Sequence, residues 1–124
     1  MHLSKTISYI WIKERQIMSE KDNILIAEIS KQLKKGGFDL VGIYFFGSRT
    51  KNTFSEYSDY DIAIILKEKV DWIVKEKIQS VIYDIMLEHD IIIDSHIYTK
   101  GEIESPITPF RESILTDGTY YACW

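Results

Sequence analysis

The sequence predicts a single α/β domain in the order helix, strand, strand, helix, strand, helix. Three observations carry that expectation: two segments with apolar residues at helical spacing, apolar β-rich runs between and after them, and no repeat, low-complexity tract or linker in the 124 residues. That length supports one core and leaves no room for a catalytic domain plus a separate substrate domain.

From Asn23 to Lys35, Leu25, Ile26, Ile29 and Leu33 recur at helical spacing, and Gly36-Gly37 supplies a stop. "LVGIYFF", Leu40 to Phe46, is apolar throughout, as a strand buried on both faces would be. It runs straight into Gly47-Ser48. After a polar stretch to Ser58, "DYDIAIIL" reads as a second buried strand opening on carboxylates. Val70 to His89 places Ile73, Val74, Ile78, Val81, Ile82, Ile85 and Met86 on one helical face, with Asp71 as N-cap. "IIIDSHIY", Ile91 to Tyr98, is a third strand interrupted by Asp94. Thr108-Pro109 marks a short helix ending at Gly118, and "TYYA" a final edge strand. Met18 opens a segment that would serve equally well as a start. The domain is therefore expected over residues 18–124, with 1–17 an extra helix, an interaction arm or a misassigned start.

The net charge of −4 argues against wrapping a nucleic-acid backbone, which needs clustered Lys and Arg, but leaves a pocket for a small nucleotide. Cys123 is the only cysteine, so neither an internal disulfide nor a thiol zinc cluster can form, which fits a reducing cytoplasm. No apolar run approaches the ~18 residues of a membrane helix, and the N-terminal segment lacks a cleavage site. Tyr120, Tyr121 and Trp124, with Tyr9 and Trp11, exceed what a small surface leaves exposed. They either cover the core or form an interface with a partner or a second copy, which keeps a homo-oligomer in view.

The chemistry concentrates in "FFGSRTKNTFSEYSDYDIAIIL". Asp59 and Asp61 lie two apart in a strand, so they point to one face with Cα atoms roughly 6–7 Å apart. Two carboxylates on one face repel unless a cation compensates, and Mg²⁺ takes oxygen ligands while keeping positions open for phosphate and water. Asp94, a costly carboxylate if buried in its apolar strand, would complete a three-carboxylate site if that strand lies beside the second. There it would hold a metal or accept a proton from an attacking hydroxyl. Gly47 allows backbone to approach a ligand, Ser48 adds a hydroxyl, and Arg49 and Lys51 add positive charge toward a triphosphate. His96 shares the face of Asp94, although a single strand histidine is more often packed than functional. His89 closes the long helix, where a cation suits the helix dipole.

With Gly-Ser, ten intervening residues, then Asp-x-Asp, "GSRTKNTFSEYSDYD" resembles the DNA polymerase beta-like nucleotidyltransferase superfamily, in which Ser58 also has a counterpart before the first Asp. The frame from about Ile24 to Tyr121, with its "PFRESILTDGTYY" close, is similar to the minimal nucleotidyltransferases, the antitoxin half of HEPN/MNT toxin-antitoxin pairs. The resemblance implies a small mixed sheet packed against helices. It implies Gly47 and Ser48 at the phosphates, Asp59 and Asp61 on Mg²⁺, and Asp94 as the third acidic residue, the weakest transfer of the set. Asn52 and Tyr60 depart from the glycine and small apolar residue usual there. The implied reaction moves a nucleoside monophosphate, AMP from ATP, onto a hydroxyl of a partner, for these short members a tyrosine of a HEPN toxin. Two readings compete: an antitoxin that neutralises by contact over a vestigial site, and an antibiotic-modifying nucleotidyltransferase. Joint retention of the Gly, Ser and three Asp residues argues against the first, and the short chain against the second.

Overall fold

The computed structural model describes residues 20–46 and 60–122. In chain order they form α1 (Glu20–Lys35), β1 (Leu40–Phe46), β2 (Tyr60–Leu66), α2 (Trp72–His89), β3 (Ile93–Thr99), α3 (Lys100–Glu104), α4 (Pro109–Asp117) and β4 (Thr119–Ala122). The expected segment 1–17 lies outside the described residues.

The four strands make one mixed sheet in the order β3-β2-β1-β4. β1 is antiparallel to β2 and to β4, whereas β2 and β3 run parallel. The parallel pair is possible because α2 crosses over between them, as parallel strands require.

Strand alternation divides the side chains between two layers. Ile43, Phe45, Tyr60, Ile62, Ile64, Leu66 and Ile93 face α1 and α2, where Leu25, Ile26, Ile29, Leu33, Ile78, Ile82 and Ile85 complete the main core. Burying each large aliphatic side chain contributes about 1.5–3 kcal/mol, so this face dominates stability. The other face is thinner: Phe46, Ala63 and Ile65 pack with Ile103 of α3 and Ile114 of α4. Tyr60 is buried and stacks on Phe45 at 5.6 Å between ring centroids.

Helix ends follow local rules. After α1, Gly37 takes φ 86°, and the N–H groups of Phe38 and Gly37 donate to the carbonyls of Leu33 and Lys34 at 3.2 and 3.0 Å. That is a Schellman close, and it needs a residue at ease in the left-handed region. The expected Asp71 cap is present, accepting from the Val74 N–H at 2.9 Å, and Thr108 with Pro109 opens α4 as expected.

Three details differ from the sequence expectation. α1 takes in Glu20 to Asp22 ahead of the expected Asn23. β3 begins at Ile93 rather than Ile91, because the left-handed Asp90 and the bond from the Ile91 N–H to the Met86 carbonyl still belong to the close of α2. The short α3 was not anticipated. A capping box holds it: Thr99 Oγ1 accepts from the Glu102 N–H at 3.0 Å, and Glu102 Oε1 accepts from the Thr99 N–H at 2.9 Å. The bond from the Thr99 N–H, foremost, keeps the Glu102 carboxyl below its ordinary range.

Candidate active site

The thin face of the sheet carries a cavity at the end where β1 finishes and β2 and β3 begin. Asp61, Ala63 and Ile65 project to this face, and parallel pairing sets Asp61 directly opposite Asp94. Antiparallel pairing sets Asp61 opposite Phe46 on its other side. Backbone register alone therefore brings both carboxylates together beside the last residue of β1.

Asp61 and Asp94 line one cavity of about 380 Å³ with Phe46, His96, Phe110, Ser113 and Asp117. Asp61 is partly buried, but the Asp94 side chain is 58% exposed. Among the described residues β3 is an edge strand, and Asp94 lines the cavity, so the cost that burial in an apolar strand would carry is not incurred. Exposure removes the desolvation cost and leaves the oxygens accessible to a ligand.

His96 shares this face, as its spacing from Asp94 predicts, with Nε2 3.5 Å from Asp94 Oδ2. Its ring lies 5.0 Å from that of Phe110 and 6.0 Å from that of Phe46. Arg111 fixes α4 over the sheet: Nη1 donates to the carbonyls of Glu102 and Pro106 at 2.9 and 3.1 Å, and the guanidinium sits 5.0 Å over the Tyr98 ring. Cation–π contact and two carbonyl bonds at once are work that Arg does better than Lys.

Gly47, Ser48, Arg49, Lys51, Ser58 and Asp59 lie outside the described residues. Their flanking positions, Phe46 and Tyr60, end β1 and start β2 at this same end of the sheet. Sequence reasoning missed Phe110, Ser113 and Asp117. The i, i+3, i+7 spacing on α4 was the available signal, and what it could not tell is which face of so short a helix meets the cavity.

Oxygen donors from Asp61 and Asp94, set on adjacent strands at an accessible edge, suit a hard divalent ion. A different group, Glu28, Glu88 and His89, has ligand atoms within 4.8 Å of one another on the α1–α2 side. There His89 Nε2 and Glu28 Oε1 are already 2.9 Å apart, so His89 serves as an interhelix tie in addition to its place in the last turn of α2.

The family described as Polymerase beta, Nucleotidyltransferase matches residues 26–118. Two proteins of Methanocaldococcus jannaschii that bear the name protein adenylyltransferase are similar in sequence. One is 38% identical over 73% of this chain and 56% of its own length, and the other 32% identical over 60% and 81%. The chain thus spans little more than half of the first of these relatives. Among solved structures, a toxin–antitoxin with AMP-PNP aligns at TM-score 0.57 and 24% identity, covering 79% of this chain and 71% of that one. The complex of tri-AMPylated Shewanella oneidensis HEPN toxin with MNT antitoxin aligns at TM-score 0.53 and 24% identity, covering 82% and 71%. Those likenesses establish the fold: a small mixed sheet flanked by helices.

Proposed function

The chain belongs to the polymerase beta-type nucleotidyltransferase family, and from that premise we propose that it transfers AMP from ATP to a hydroxyl on a partner protein, as the antitoxin of a HEPN/MNT pair. The observation that carries the reading is the in-register placement of Asp61 and Asp94 in one cavity at the end of the sheet where β2 and β3 begin. The names of the two sequence relatives, and the AMPylated toxin in the aligned complex, support the nucleotide and the kind of acceptor.

In this reading Asp59 and Asp61, with Asp94, hold Mg²⁺. When bound, the ion would offset phosphate charge and favour in-line geometry. Gly47 and Ser48 seat the triphosphate by backbone and hydroxyl donors, Ser58 supports that seat, and Arg49 and Lys51 supply positive charge. Asp94, the more exposed carboxylate, takes the proton of the attacking hydroxyl. The hydroxyl oxygen bonds to the α-phosphorus, the bond from phosphorus to the β-bridging oxygen breaks, and pyrophosphate leaves with that electron pair. Most of the acceleration then comes from positioning and preorganised charge. No helix among the described residues is long and apolar enough to cross a membrane.

The test is transfer of label from α-labelled ATP with Mg²⁺ to co-purifying polypeptides. Label on a partner that disappears in Asp61→Asn supports the transferase. Tight partner binding with no label on any polypeptide would overturn it in favour of a module that neutralises by contact.

A further inference from the structure

The cavity has a second wall that the handling of phosphate does not use. Phe46, His96 and Phe110 form an aromatic trio, with Phe46 and Phe110 meeting edge to face at 5.7 Å and 79°. Phe46 is nearly buried, yet Phe110 is 44% exposed while lining the cavity. An exposed aromatic ring held against two other rings, inside a site rather than on open surface, is a preformed stacking surface. Its place is held by Arg111, the next residue, through the two carbonyl bonds and the contact with Tyr98.

We infer that Phe110, braced by Phe46 and His96, is the platform on which the ring of the acceptor rests, and is therefore a residue that selects a phenolic hydroxyl over an aliphatic one. The inference rests on the transferase reading and assigns to particular residues a selectivity that the reading leaves open.

Geometry favours the acceptor over the nucleobase. His96 neighbours both Phe110 and Asp94: its ring lies 5.0 Å from that of Phe110 by centroid, and its Nε2 lies 3.5 Å from Asp94 Oδ2. A phenolic oxygen is bonded directly to its ring, so a ring on this platform brings its hydroxyl to the carboxylate that receives the proton. A nucleobase is held a whole ribose away from the α-phosphate, and a base stacked here would draw that phosphate off the carboxylates. The step is the one already written, with the phenolic oxygen as nucleophile, its proton passing to Asp94 and pyrophosphate leaving with the bond pair.

The platform predicts binding that can be read without catalysis. N-acetyltyrosinamide and N-acetylserinamide are titrated by NMR into the full chain holding Mg²⁺ and a non-hydrolysable ATP analogue. The tyrosine amide should bind about tenfold or more tightly than the serine amide, and Phe110→Leu should weaken it by about five- to tenfold, the scale of one aromatic stack with its buried area. Phe110→Trp should retain it, and the affinity of Phe110→Leu for the analogue should stay within about twofold of the parent. Leucine keeps an apolar contact with Phe46, and thermal melts of both variants check folding. Equal binding of the two amides, or a Phe110→Leu affinity like that of the parent, would overturn the proposal. So would a loss confined to the nucleotide, which would make the ring a base platform. Parallel transfer from α-labelled ATP separates the two claims: absent transfer with Phe110-dependent tyrosine binding defeats the transferase reading and leaves the platform standing.

Discussion

Asp61 and Asp94 stand opposite each other through the register of β2 against β3. Neutralising either should cost chemistry, and at the exposed Asp94 it should cost little stability. Asp61→Asn is expected to lower label transfer by about a hundredfold or more. Asp94→Asn, at a site 58% exposed, should leave unfolding free energy within ~0.5 kcal/mol while still lowering transfer. Chemical denaturation beside the transfer assay separates the two effects. At this scale the sequence showed both carboxylates but left their meeting conditional on β3 lying beside β2, which the sheet order supplies. It could not show that Asp94 is solvated, because solvation depends on β3 being an edge strand, a property of sheet order. The role of Phe110 was hidden for a similar reason, since its face is decided by where α4 packs.

The elements are held by end signals of unequal quality. α1 closes on Gly37 at φ 86°, which glycine adopts freely, whereas α2 closes on Asp90 at φ 55°. A non-glycine residue there carries a steric cost, so Asp90→Gly should stabilise the protein by ~0.5–1 kcal/mol, read as a rise in Tm. An unchanged or lower Tm would show that the Asp90 side chain compensates. The long elements were legible because Ile78, Ile82 and Ile85 repeat over several turns, and because Ile62 to Leu66 is an unbroken apolar run. α3 was not, because five residues are too few to show a period. Its Thr99-x-x-Glu102 pattern was the readable signal, masked by the strand pattern that leads into it.

Among the described residues, the sheet has one heavily covered face and one lightly covered face, and the site lies on the lightly covered one. The terminal strand β4 ties the end of the chain to the start of the domain. The Tyr121 hydroxyl donates to Asn23 Oδ1 at 2.8 Å, and burial, with a smaller contribution from the Asp22 carboxylate, pushes its pKa up to about 12 from the ordinary 10.0. A raised folded-state pKa for an acid means that its contribution is complete below the unfolded value and fades as the pH climbs through the folded one. Stability should fall between about pH 10 and pH 12, and Tyr121→Phe should flatten that alkaline limb in denaturation curves. The aromatic surplus at the C-terminus is thus partly core, as Tyr121 shows, and partly surface, as the exposed Tyr120 beside Tyr44 shows. The central claim is that the cavity lined by Asp61 and Asp94 is a metal and nucleotide site. Its most direct measurement is Mn²⁺ binding, by electron paramagnetic resonance, to the full chain with a non-hydrolysable ATP analogue, beside the Asp61→Asn, Asp94→Asn double variant. The account predicts nucleotide-dependent Mn²⁺ binding that weakens at least about tenfold in the double variant. Binding of equal strength in both proteins would contradict it.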